Sequence, residues 1–194
     1  NNSSGQINQA RNYNGSQYTD YSNASSFDPD GGDFSVSFWM RGTSTASHML
    51  VAKNADNTDG WYFYQTSNQI RFNLEEDNTY VRATTTGLNV ASGGWYHIIG
   101  TFDSSTGTAD VYVDGIFRAT ATVASVTNPS SSAVFSIGSR AFTGSRLGYI
   151  GTLDEVGIWQ TKLTGKPSSI GDPATGEIEE LFNDDSGLQY PFGE

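Results

Sequence analysis

The stretch DFSVSFWMRG, residues 33–42, alternates without a break. Phe34, Val36, Phe38 and Met40 fall on one face of an extended chain, and Ser35, Ser37 and Trp39 on the other. Period-two patterning of this kind marks a strand with one face in a core. Outward from it the same reading repeats. Strands are expected at 48–53, 61–65, 70–74, 80–84, 95–102, 109–113, 116–123, 134–137 and 151–159, with a short one at 18–21 and an edge strand within 1–12. Turn signals separate them, among them Asn68-Gln69, Asp103 to Gly107 and the hairpin pair Asp114-Gly115. The one helical pattern is Glu177 to Phe182, where Ile178, Leu181 and Phe182 share a face. Ten or more short strands with almost no helix predict an all-β, antiparallel two-sheet sandwich; a barrel fits the two-faced alternation less well.

Composition narrows the function. The 194 residues suit a single domain, 1–194. No run of about 18 apolar residues occurs, so no membrane insertion is expected. The chain opens without a basic-then-apolar leader pattern and reads as a module of something longer. The absence of cysteine excludes a disulfide framework. A formal net charge of −11 makes nucleic acid a poor partner, since phosphates are repelled, and suits hard cations that take oxygen ligands.

Several of these segments together resemble the laminin-G-like and pentraxin-like domains of the concanavalin A-like lectin/glucanase superfamily. The resemblance rests on Phe34 to Met40, Trp95-Tyr96-His97 with Thr101-Phe102-Asp103, Val111 to Gly115, Phe135 to Gly138, Gly151 to Trp159, and Asn14-Gly15-Ser16 upstream. It covers about residues 12 to 160. It implies a jelly roll and often a structural calcium ion (Ca2+), sometimes with a second calcium at a ligand face. It also implies partners that are glycans or proteins, in an extracellular or cell-surface setting such as adhesion. The sequence departs from the family's pattern after Leu163, where a loop is inserted near 164–176 before the short helix at 177–182.

The candidate metal ligands are Asp154 and the turn carboxylates Asp28, Asp30 and Asp33. Asp154 stands in an apolar run, where a carboxylate is costly unless paired. Two readings stand for it: a calcium ligand, or an acceptor of backbone N–H bonds that pins the N-terminal strands. For the turn the alternatives are cation binding and aspartates that cap their own backbone. No glutamate stands at the twelfth position of an EF-type loop, because residue 39 is Trp.

Asp56, Asn57 and Asp59 precede Trp61-Tyr62-Phe63-Tyr64, and amides and carboxylates beside aromatic rings are what sugar recognition needs. Alternation sends Trp61 and Phe63 to the core and leaves Tyr62 and Tyr64 on the opposite sheet face. Arg140, Phe142, Arg146 and Tyr149, in a glycine-rich loop, are candidates for the rim of a ligand site; the alternative is that they only close the sandwich. Trp39, Trp95 and Trp159 read as packing, and His97 as a satisfied sheet histidine.

No catalytic pattern stands out. Glycoside hydrolysis needs paired carboxylates across a cleft, and adjacent Asp154 and Glu155 point to opposite faces of a strand. The expected function is a calcium-dependent, lectin-like carbohydrate-binding module. The alternatives are a structural or protein-contact domain of a larger surface or phage-tail protein, and, behind both, a polysaccharide-degrading enzyme.

Overall fold

The structure is a computed structural model that describes residues 2–7, 9–54, 58–141 and 145–184. In chain order its strands are β1 (Asn2–Ser4), β2 (Gln9–Asn14), β3 (Thr19–Asp20), β4 (Phe34–Gly42), β5 (His48–Lys53), β6 (Gly60–Thr66), β7 (Gln69–Glu76), β8 (Thr79–Thr84), β9 (Tyr96–Asp103), β10 (Thr108–Val113), β11 (Ile116–Thr122), β12 (Ser136–Ile137) and β13 (Ile150–Trp159). One helix, α1 (Gly176–Phe182), follows. The strands form two antiparallel sheets. A seven-stranded sheet runs β1-β2-β13-β4-β9-β10-β11, and a six-stranded sheet runs β3-β12-β5-β6-β7-β8.

Alternation builds the core between them. Phe34, Val36, Phe38 and Met40 of β4 meet Trp61 and Phe63 of β6, Ile70, Phe72 and Leu74 of β7, and Val81 and Ala83 of β8. Phe63 and Phe72 stack at 4.4 Å, and the space they need comes from Gly100 on β9. A Cβ there would come within 2.7 Å of Phe72 Cδ1 and would collide with Phe63. A glycine inside a strand here marks a close approach between the two sheets.

The outer face of the seven-stranded sheet is not solvated, as simple alternation implies. Ile99, Tyr112 and Phe117 pack under Leu163, Ala174, Ile178 and Leu181 in a second core. Trp159, half-buried, packs against it, while Phe182 stacks on Trp39 and His97. The inserted loop has a role that the sequence did not reveal: it pairs with the start of β11. Phe117 N–H donates to Asp172 O at 3.0 Å, Gly171 N–H to Phe117 O at 2.8 Å and Ala174 N–H to Gly115 O at 2.7 Å. The segment thus covers backbone groups that an edge strand otherwise exposes. Trp95, half-buried, precedes β9 and packs under the Arg41 guanidinium, which lies 5.0 Å from its ring centre. Gly187 to Phe192, which the sequence also offers as a terminal strand, lie outside the described residues.

Candidate functional site

The outer face of the six-stranded sheet carries the polar half of the alternation. Register aligns Tyr62 with Asn73 and Asn73 with Arg82, and in the next row Met49 with Tyr64, Arg71 and Thr84. With their apolar neighbours locked in the core, these side chains are held on a rigid platform. Arg140 and Leu147, from the 138–149 loop, close one side. Met49 N–H donates to Leu147 O at 2.8 Å, and Arg140 Nε donates to Ser145 O at 3.2 Å. The result is a pocket of about 190 Å³ lined by Met49, Tyr62, Tyr64, Arg71, Asn73, Arg82, Arg140 and Leu147.

Through Tyr62 it adjoins a buried hydrogen-bond network. Tyr62 Oη donates to Glu75 Oε1 at 2.8 Å, and Asn54 Nδ2 donates to Glu75 Oε2 at 3.0 Å. Burial pushes the Glu75 carboxyl up from its ordinary value. Burial first, and the Glu75 charge second, push the Tyr62 hydroxyl up to about 12. Tyr62 is therefore a fixed donor at neutral pH and not a base. Arg82 Nε donates to Asn73 Oδ1 at 2.9 Å, and its guanidinium carbon lies 4.5 Å from the Tyr80 ring. Arg71 Nη2 donates to Gln69 Oε1 at 3.0 Å.

Of the residues singled out from sequence, Tyr62, Tyr64 and Arg140 come together here. Arg71, Asn73 and Arg82 were missed. Alternation through Gln69–Glu76 and Thr79–Thr84 places them on this face, but pairing register, which the sequence does not print, brings them beside Tyr62. Asp59 stands off the pocket, accepting from Asp77 N–H at 3.0 Å. Arg146 is paired with Asp20, Nη2 to Oδ2 at 3.1 Å, and covers the Tyr18 ring at 3.8 Å. Tyr149, expected at a rim, is instead a fully buried core residue. Asp56, Asn57 and Phe142 lie outside the described residues.

Three of the four aspartates read as metal ligands, Asp28, Asp33 and Asp154, have carboxylate oxygens engaged by protein groups. Calcium wants six to eight oxygens, and among the described residues no group of three or more His, Cys, Asp or Glu is placed to hold a metal. Asp28 Oδ2 pairs with the fully buried Lys53 Nζ at 2.6 Å, and its Oδ1 accepts from Ser131 N–H at 2.9 Å. Asp33 Oδ1 accepts from Ser104 N–H and Oγ at 3.0 and 3.1 Å. Asp30, with a positive φ of 49°, is an exposed turn residue whose N–H donates to Ser130 Oγ at 3.2 Å. Asp28, Asp30 and Asp33 are not gathered into a group that could hold a metal.

Asp154 takes the N–H reading. Its Oδ2 accepts from Ile7 N–H and its Oδ1 from Glu155 N–H, each at 3.1 Å, and Gln6 N–H adds a further bond. Burial raises its carboxyl above the ordinary range even so. The strand alternation expected through it is interrupted. β13 pairs Asp154 with Trp39 and then Gly157 with Ser37, so one extra residue bulges out. Glu155 sits in that bulge at φ 45°, and Val156 returns to the core side with Leu153.

A second cleft of about 390 Å³ opens between the sheet edges, lined by Tyr21, Ser26, Phe27, Phe135, Ile137, Val156 and Ile158. It is apolar and aromatic, with Phe27 and Phe135 stacked at 4.7 Å.

Comparison with known proteins bears on the fold. A laminin G family model, described as the concanavalin A-like lectin/glucanases superfamily, matches residues 13–166. Among solved structures, the binding domain of Paraclostridial Mosquitocidal Protein 1 superposes with a TM-score of 0.74 at 19% identity, covering 94% of this chain and 45% of that one. Domains LG4-5 of the mouse laminin α1 chain give 0.63 at 15% identity, covering 78% and 40%. Botulinum neurotoxin type C gives 0.58 at 19% identity, covering 82% and 36%. The chain thus spans less than half the length of each of these three. No curated protein matches it.

Proposed function

This chain belongs to the laminin G branch of the concanavalin A-like lectin/glucanases superfamily, and on that footing we propose that it is a non-catalytic carbohydrate-binding module that works at an extracellular or cell surface. The observation that carries the reading is the pocket on the six-stranded sheet. An aromatic ring (Tyr64) stands beside an amide (Asn73) and guanidinium donors (Arg71, Arg82) on a strand platform. Concave sites with a few fixed polar groups among apolar walls are the usual form of a small-ligand site. An aromatic face covers the C–H side of a sugar ring, and the polar groups bond its hydroxyls. Among the structural neighbours, botulinum neurotoxin type C depends on two ganglioside molecules to enter cells. The proposed contact is made by the protein side chains that line the pocket. Adhesion is the proposed setting, and no helix among the described residues is long and apolar enough to cross a membrane.

A glycan array, repeated after EDTA treatment and again with added Ca2+, tests this reading. The expected result is a ligand whose signal survives EDTA and is lost in Tyr64→Ala. Signal that appears only with calcium shifts the site away from the pocket, and no signal on any saccharide contradicts the lectin reading. A second reading, a protein-contact domain, draws on the apolar cleft at Phe27 and Phe135, where Tyr21 is 46% exposed.

A further inference from the structure

The arginines of this protein are distributed unevenly. The chain is strongly acidic, at −11, and has seven arginines. Three of them, Arg71, Arg82 and Arg140, line one pocket. Glu75, near enough for Arg82 and Arg140 to act on its charge, has both oxygens taken by Tyr62 and Asn54, and burial raises its carboxyl. Among the described residues neither Arg71 nor Arg82 has a carboxylate within ion-pair distance. Arg71 Nε is buried with no hydrogen-bond partner. A desolvated donor of this kind lacks an acceptor, and a neutral hydroxyl answers it less well than an oxyanion does.

We propose, resting on the glycan reading above, that this pocket selects saccharides bearing an oxyanion substituent, a carboxylate or a sulfate, and that Arg71 and Arg82 grip it. The guanidinium fork matches a planar or tetrahedral oxyanion with two parallel N–H bonds. Asn73 holds the Arg82 fork by its Nε and Gln69 steadies Arg71, so both cations are oriented before a ligand arrives. The pocket's volume, about 190 Å³, suits a single charged sugar residue, with the rest of an oligosaccharide passing over the exposed Tyr80 ring. The acidic surroundings repel an anion at long range, so recognition depends on short-range contact.

Titration calorimetry with three classes of oligosaccharide tests the proposal. The probes are a sialylated and a uronic acid oligosaccharide, a sulfated one, and their uncharged counterparts. The expected result is binding of at least one charged probe at a Kd roughly ten-fold or more tighter than its neutral counterpart. That affinity should weaken as salt is raised, and fall about ten-fold in Arg82→Met and in Arg71→Gln. Arg118→Gln, an exposed site on the other sheet, should change nothing. The carboxylated and sulfated arms then tell which oxyanion is preferred. Equal binding of charged and neutral probes overturns the proposal and leaves the glycan reading standing. Binding by none overturns both. Charged binding that both variants retain moves the site off this pocket and overturns the assignment. The salt dependence of the wild-type protein gives a readout even where a variant fails to fold.

Discussion

Lys53 has no exposed surface, yet it carries a charge. Asp28 neutralises it, and Asn23 Oδ1 at 2.7 Å and the Ser131 carbonyl take up its other protons. Removing one partner of a buried pair leaves the other uncompensated, so Lys53→Met should cost about 3–5 kcal/mol, read from urea unfolding; a loss under 1 kcal/mol would show that Asp28 is solvated. His97 gives a pH effect. Its Nε2 lies 2.7 Å from Ser37 Oγ, its ring stacks on Trp39, and burial pushes it down to about 3. Below the ordinary value of about 6.5 the unfolded chain takes up a proton that the folded one refuses, so stability is lost as pH falls from there toward 3. The slope approaches about 1.4 kcal/mol per pH unit, or roughly 3–5 °C in Tm per unit for a chain of this size. Glu75 and Asp154, both raised, act with the opposite sign from their ordinary carboxylate values upward. His97→Gln should flatten the drop between pH 6.5 and 5; a Tm profile unchanged from wild type would remove His97 as its cause. At this scale the sequence was partly legible. Asp154 was visible as a carboxylate needing partners, but not which ones: Ile7 lies 147 residues away in the chain. Lys53 was unremarkable within an apolar strand until the fold placed it against Asp28.

Elements were far more legible, because period-two alternation is local. Each confidently patterned strand from Phe34 to Ile116 is present, with ends shifted by a residue or two. The failures are those of local reading. The bulge at Glu155 needs a register mismatch with β4 to be seen, and the covered outer face of the seven-stranded sheet needs α1 and the inserted loop to be docked. That cover has measurable weight. Ile178 has no exposed surface, so Ile178→Ala should cost about 2–5 kcal/mol if the second core is as packed as it looks. A helix merely lying on the surface would give under 1 kcal/mol. Gly100→Ala tests the sheet-to-sheet approach from the other side. The added methyl meets the Phe63–Phe72 stack, and a loss of about 1–3 kcal/mol is expected in thermal unfolding. An unchanged Tm would mean that the two sheets part easily there.

Across the whole molecule, Asp28, Asp33 and Asp154, which drew attention in the sequence, serve the scaffold. They clamp Lys53, cap the turn at Ser104 and pin the N-terminal strands. The groups free to meet a ligand lie elsewhere, on the strand platform of β6, β7 and β8, where the polar half of the alternation is gathered under the 138–149 loop. Sequence pointed to Tyr62 and Tyr64 there, but the gathering of arginines around them depends on three strands and a loop meeting in space. The measurement that bears most directly on this account is backbone-amide NMR of the labelled protein titrated with a saccharide that it binds. Perturbations should cluster at Tyr64, Arg71, Asn73, Arg82 and Leu147, and should persist in EDTA. Perturbations centred on residues 28–33 or on Asp154, or appearing only when calcium is added, would contradict it.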